Sequence, residues 1–175
     1  MDKKNYIIIA LVVIIIVLLS YNAITIYKSS EPEVFVFSDY VVTAPAGTHY
    51  HNNTEQAFYL DVNGSDAVFM ISAGDDTNMS AQDFDLFYDS IKNNTVSKSD
   101  LITAFESDFE YSGLKDINVG DFKGEPEVSM LFENPDNHSE KGLIHFIKHK
   151  NKIFMVGELL DNSTSAEMYN NLILT

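Results

Sequence analysis

Residues 142–159 read GLIHFIKHKNKIFMVGEL. Two apolar-rich runs, 142–149 and 152–159, flank the pair Lys150-Asn151. A two-residue connection between strand-forming runs brings them side by side with opposite direction. In the first run His145, Ile147 and His149 fall on one face, because side chains alternate along a strand.

Working outward, the same alternation continues upstream. Over 127–133, Val128, Met130 and Phe132 alternate with Glu127, Ser129, Leu131 and Glu133, the pattern of a half-buried strand. Residues 114–122 form another strand. Further back, Phe58, Leu60 and Val62 alternate with Tyr59 and Asp61, and Asn63-Gly64-Ser65-Asp66 supplies a turn before a returning strand over 67–72. Residues 34–37 and 40–43 are extended, the second stopped by Ala44-Pro45-Ala46-Gly47.

Helical spacing appears in three places. Ser80 with Asp83 approximates a capping box, and Phe84, Phe87, Tyr88 and Ile91 form one apolar stripe behind it. A weaker helix runs over 100–109, with Ile102, Phe105 and Phe109 directed inward. A closing helix is predicted to start at Thr164 with Glu167 as its capping partner, burying Met168, Tyr169, Leu172 and Ile173. The fold class is therefore α+β: an antiparallel β-sheet flanked by helices.

One N-terminal transmembrane helix is predicted to precede that domain. No charged residue occurs over 6–27, and 7–19 is wholly aliphatic. About 20 residues of helix cross a hydrocarbon core of about 30 Å. Lys3 and Lys4 lie before the apolar run, which predicts residues 1–5 in the cytoplasm and the remainder outside, in a single-pass cell-membrane protein. Residues 28–33, with Pro32, form a linker, and 34–175 form the extracytoplasmic domain. A cleaved signal peptide is the rival reading. It places the domain on the same side, but no small-x-small site of the Ala-x-Ala kind follows the apolar core.

Composition narrows the function. The chain has 175 residues, no cysteine and a formal net charge of −15. Three of its 11 lysines and one of its 26 acidic residues lie within the first 28 positions, so 29–175 carries −17. Such a surface repels phosphate backbones, so no nucleic acid is expected as a partner. There is no arginine, the usual bidentate ligand of phosphate. Disulfides, thiolate metal sites and cysteine nucleophiles are excluded. Six Asn-x-Ser/Thr triplets, at Asn52, Asn63, Asn78, Asn93, Asn137 and Asn162, all follow the apolar segment and mark possible N-glycosylation.

The order of elements resembles the PsbP/Mog1-like fold. Three features carry the resemblance: the opening strand and proline-glycine turn over 40–47, the hairpin and helices over 57–109, and the final hairpin followed by the short helix that closes on Tyr169-Asn170-Asn171-Leu172-Ile173-Leu174. It looks like the small secreted or membrane-tethered members found in prokaryotes, archaeal ones included. The resemblance implies an antiparallel sheet flanked by helices that acts as a binding or assembly module. It carries over no functional residue.

No catalytic motif stands in the chain. Gly-x-Ser-x-Gly, His-Glu-x-x-His and phosphate-cradling glycine loops are missing. On a strand His145 and His149 sit roughly 13 Å apart, too far to share a metal. His49 and His51 flank Tyr50 and need further ligands to chelate. These histidines are read as surface residues. Asp75-Asp76, Asp83 with Asp85, and the 133–140 segment are acidic but lack an EF-hand pattern. No catalytic residue, metal ligand or cofactor is assigned. The expected function is a noncatalytic, membrane-anchored binding or assembly module of the cell surface, with a protein or cell-envelope partner. The alternatives are an extracytoplasmic hydrolase using carboxylate or histidine residues, and a cation-binding domain.

Overall fold

The final hairpin forms as its sequence dictates. In the computed structural model β8 (Lys141–His149) and β9 (Lys152–Leu159) pair antiparallel, with His149 opposite Lys152 and His145 opposite Val156. Lys150 takes a φ of 56° in the turn between them. The structure describes residues 31–51, 58–62, 67–74, 79–109, 113–135, 137–138, 140–160 and 162–175. The apolar segment 6–27 and the turn 63–66 lie outside the described residues. Among the described residues no helix is long and apolar enough to cross a membrane.

Around that hairpin an antiparallel sheet of seven strands is built, in the order β3-β4-β5-β9-β8-β7-β6. Its other members are β3 (Thr48–His51), β4 (Phe58–Val62), β5 (Ala67–Ala73), β6 (Leu114–Phe122) and β7 (Glu125–Glu133). Lys123 and Gly124 join β6 to β7 with φ of 54° and 94°, as tight hairpin turns of the primed kind require.

A second sheet was not anticipated. β1 (Glu33–Val36) and β2 (Tyr40–Ala44) do not join the main sheet. They form a three-stranded sheet, β1-β2-β10, with the two-residue β10 (Ile173–Leu174) pairing antiparallel to β2. The expected single sheet is thus corrected to two. Its alternation explains why: Tyr40, Val42 and Ala44 are buried while Val41 and Thr43 are only half-buried, so the small sheet has its own inner face.

Three helices are described: α1 (Ala81–Lys92), α2 (Lys98–Phe109) and α3 (Ser163–Asn171). Ser80 caps α1 as predicted, accepting from the Asp83 amide at 3.1 Å while its hydroxyl donates to Asp83 at 2.6 Å. Phe84 and Ile91 of the expected stripe are buried, and Ile102 packs against the same cluster. The side chains of Phe105 and Phe109 lie outside the described residues. The closing helix corrects two expectations. Its N-cap is Asn162, whose Oδ1 accepts from the Ser165 amide at 3.0 Å, rather than Thr164. Ile173 is exposed, because the chain leaves the helix at Leu172 and enters β10.

The seven-stranded sheet is covered on both faces. On one, α1 and α2 bury Phe84, Ile91, Ile117, Val128, Met130 and Ile153. On the other, the small sheet and α3 bury Tyr40, Val42, Phe69, Phe154, Val156 and Met168. Each buried aliphatic or aromatic side chain contributes about 1.5–3 kcal/mol relative to exposure.

One glycine fixes the start of β6. Gly113 has a φ of 136°, and a Cβ there would lie 2.4 Å from the Glu133 carbonyl oxygen. Its own carbonyl accepts from the Glu133 amide at 2.8 Å. Gly113→Ala is expected to lower stability by about 1–3 kcal/mol, read as a drop in urea midpoint. An unchanged midpoint would show that the backbone relaxes there freely.

Candidate functional site

The register of three strands assembles a charged group on the α3 face. Glu127 of β7 pairs with Ile147, Ser129 with His145, and Leu143 with Glu158. Glu127, His145 and Glu158 therefore lie on one diagonal, and side chains that far apart on neighbouring strands can meet. His145 Nδ1 bonds Glu127 Oε1, and Nε2 lies 3.2 Å from Glu158 Oε1. Tyr169 of α3 lies over them. Its hydroxyl donates to Glu127 Oε1 at 2.5 Å, and its ring stacks on the imidazole with centroids 4.2 Å apart.

Two carboxylates around one imidazole favour the cation. Burial alone would lower the His145 pKa, but the bonds to Glu127 and Glu158 outweigh it and raise it. Burial would likewise raise Glu127, yet the His145 and Tyr169 bonds hold it below the usual carboxylate value. The Tyr169 hydroxyl is pushed far up, by burial first and then by its bond to Glu127. Both imidazole nitrogens accordingly act as donors.

The group is closed to solvent. Side-chain exposure is 6% for His145, 12% for Glu127 and 10% for Glu158. The reading of His145 as a surface histidine is therefore wrong. A positively charged histidine is buried here because two acids meet it from the neighbouring strands.

α3 is held over the group at three points. The Leu159 amide donates to Ser165 Oγ at 3.0 Å near the helix start, and Tyr169 engages Glu127 in the middle. At the far end Lys123 Nζ donates to the carbonyls of Asn170 and Leu172 at 2.7 and 2.8 Å. A cation at that position also meets the negative end of the helix dipole. The constellation is a clasp between helix and sheet, with its titratable groups bonded to one another.

The open space lies elsewhere. A cavity of about 570 Å³ sits where the β1–β2 turn, the end of β5, the start of α1 and the β8–β9 turn converge. Phe37, Asp39, Met79, Ser80, Asn151 and Lys152 line it. Lys152 Nζ bonds Asp39 Oδ1, and that bond, chief among several, holds the Asp39 carboxyl below its ordinary range. A shallower space of about 340 Å³ lies between Phe132, Pro135 and Leu159. The first falls within the 300–1,000 Å³ or so typical of binding clefts and mixes apolar with polar lining.

The other residues singled out from the sequence are scattered. His149 shares the face of His145 but bonds Glu125 instead, at 2.9 Å. His49 and His51 stand on β3, and their side chains lie outside the described residues. Asp83 serves the α1 cap, Asp85 pairs with Lys148, and Glu133 meets His138. Among the described residues no three histidines or acids are placed to hold a metal ion. Of the Asn-x-Ser/Thr positions, Asn93 caps the C-terminus of α1, Asn137 sits in the exposed β7–β8 loop, and Asn162 caps α3. Asn52, Asn63 and Asn78 lie outside the described residues.

With this geometry fixed, likeness to known structures is informative. The solution structure of cyanobacterial PsbP (CyanoP) from Synechocystis sp. PCC 6803 superposes with a TM-score of 0.55, covering 83% of this chain and 94% of that one at 9% identity. The fold is PsbP-like. A crystal structure from Bacteroides thetaiotaomicron VPI-5482 matches at a TM-score of 0.45 and 10% identity, and the match spans 84% of this chain and 49% of that one. No protein-family model matches the sequence, and no curated protein matches it. At such identity the likeness establishes the PsbP-like architecture and leaves residue roles to this chain's own chemistry.

Proposed function

We propose that this PsbP-like domain is a noncatalytic binding or assembly module, held at the outer face of the cell membrane by residues 6–27 with the N-terminus in the cytoplasm. The observation that carries the binding role is the mixed cavity of about 570 Å³ walled by four converging chain segments. The clasp at His145 supports the same reading, since its titratable groups are engaged with one another beneath α3. The anchor rests on the uncharged segment and its preceding lysines. N-glycans at Asn93 and Asn137, both exposed, would agree with the outside placement.

A photo-crosslinking side chain at Asn151 tests the binding role in intact cells. A discrete envelope adduct is expected, and Lys152→Glu should abolish it by reversing the charge beside Asp39. Turnover of a defined substrate by the purified chain would overturn the noncatalytic reading. Protease added to intact cells should degrade residues 31–175; protection until the cells are broken would overturn the topology.

A further inference from the structure

The outer face of the three-stranded sheet is largely apolar, and three of its side chains are exposed. Phe35, Tyr40, Val42 and Leu174 pack inward. The alternate residues point away from the core. Val34, Val36 and Ile173 are 59%, 73% and 55% exposed. Register places Val36, Val41 and Ile173 in one row straight across β1, β2 and β10, with Val34 beside Thr43 in the next row. A contiguous apolar strip on a chain this acidic calls for an occupant.

Position along the chain identifies it. β1 is the first strand after the uncharged segment that ends at Tyr27, and Val34 is seven residues beyond it. Seven extended residues reach at most about 25 Å. If residues 6–27 lie in lipid, as proposed above, the strip cannot leave the neighbourhood of the bilayer. Lys152 and Lys150 flank Asp39 at the β1–β2 turn, whereas Glu31 and Glu33 lie on the linker side. Exposed apolar side chains in one strip suit the headgroup boundary of a membrane.

We infer that the Val34-Val36-Val41-Ile173 face docks on the lipid surface and lays the domain down beside its own anchor. The strip then enters the headgroup boundary, while α1 and α2, on the other side of the main sheet, face away from lipid.

The chain has no cysteine, so single-cysteine variants of the full chain carry one fluorophore each. They are reconstituted in phosphatidylcholine–phosphatidylglycerol vesicles containing headgroup spin-labelled lipid. Labels at Val36→Cys and Ile173→Cys are expected to be quenched roughly twofold or more above a label at Leu86→Cys, an exposed position on α1, as insertion to about 5–10 Å implies. Adding Val36→Asp should release the Ile173 label. A label at Val13→Cys reports the anchor. If Val13 is quenched and Val36 matches Leu86, the anchor stands and the docking is overturned. If Val13 is unquenched, the anchor reading fails and docking fails with it. Self-quenching between Val36 labels that dilution with unlabelled chain removes would assign the face to a second copy and overturn the lipid assignment.

Discussion

Replacing His145 by alanine is expected to lower folding stability by about 3–5 kcal/mol. The variant leaves Glu127 and Glu158 buried without their shared cation, and it removes the ring on which Tyr169 stacks. Urea titration of the full chain in mild detergent, followed by far-UV circular dichroism, measures the loss. A loss below about 1 kcal/mol would mean that the acids are reached by water. The companion variant carries His145→Leu, Glu127→Met, Glu158→Met and Tyr169→Phe together. It should come within about 1–2 kcal/mol of the parent, because apolar replacement of a whole buried ion group is often neutral.

The same group sets a pH window. His145 is raised in the folded state, so its contribution is complete below its ordinary value of 6.5 and is lost as pH rises through the higher folded value. Glu127 is lowered, so its contribution is complete above 4.5 and is lost as pH falls through the depressed folded value. The stability difference between the parent and His145→Ala should therefore be greatest between pH 4.5 and 6.5 and shrink on both sides. A difference that keeps growing into alkaline solution would show that His145 is neutral when folded.

Phe154→Ala is the second large effect, about 3–5 kcal/mol. Phe154 is fully buried where the small sheet meets the main one, edge-on to Tyr40 at 6.3 Å and near the His149 ring at 6.4 Å. A cavity there loosens the first strands after the linker. The Tm should fall, and limited proteolysis should cut first around residues 36–40. A variant that loses stability without early cutting in that region would show that the small sheet stands without this ring.

Much of the main sheet could be read because its strands are joined by short turns and carry period-two apolar patterns. The β8–β9 turn even fixes Glu158 diagonally across from His145, so half of the clasp was legible. Glu127 was not, since the β7–β8 register spans a loop with no turn signal that sets it. β3, at Thr48–His51, offers no apolar alternation, so only its histidines stand out in the sequence. β10 has two residues, too few for any period, and the apolar run before it draws Ile173 into a helix face in the sequence. The mixed cavity draws on segments far apart in the chain, so no local pattern announced it.

The late arrival of β10 orders events during synthesis. Val41 emerges from the ribosome early, yet its partner Ile173 is made only after every other strand. Phe35, Tyr40 and Val42 must stay wet through nearly the whole of translation. Pairings so distant in sequence also close slowly. Until β10 is made, β2 lacks the partner that completes the small sheet.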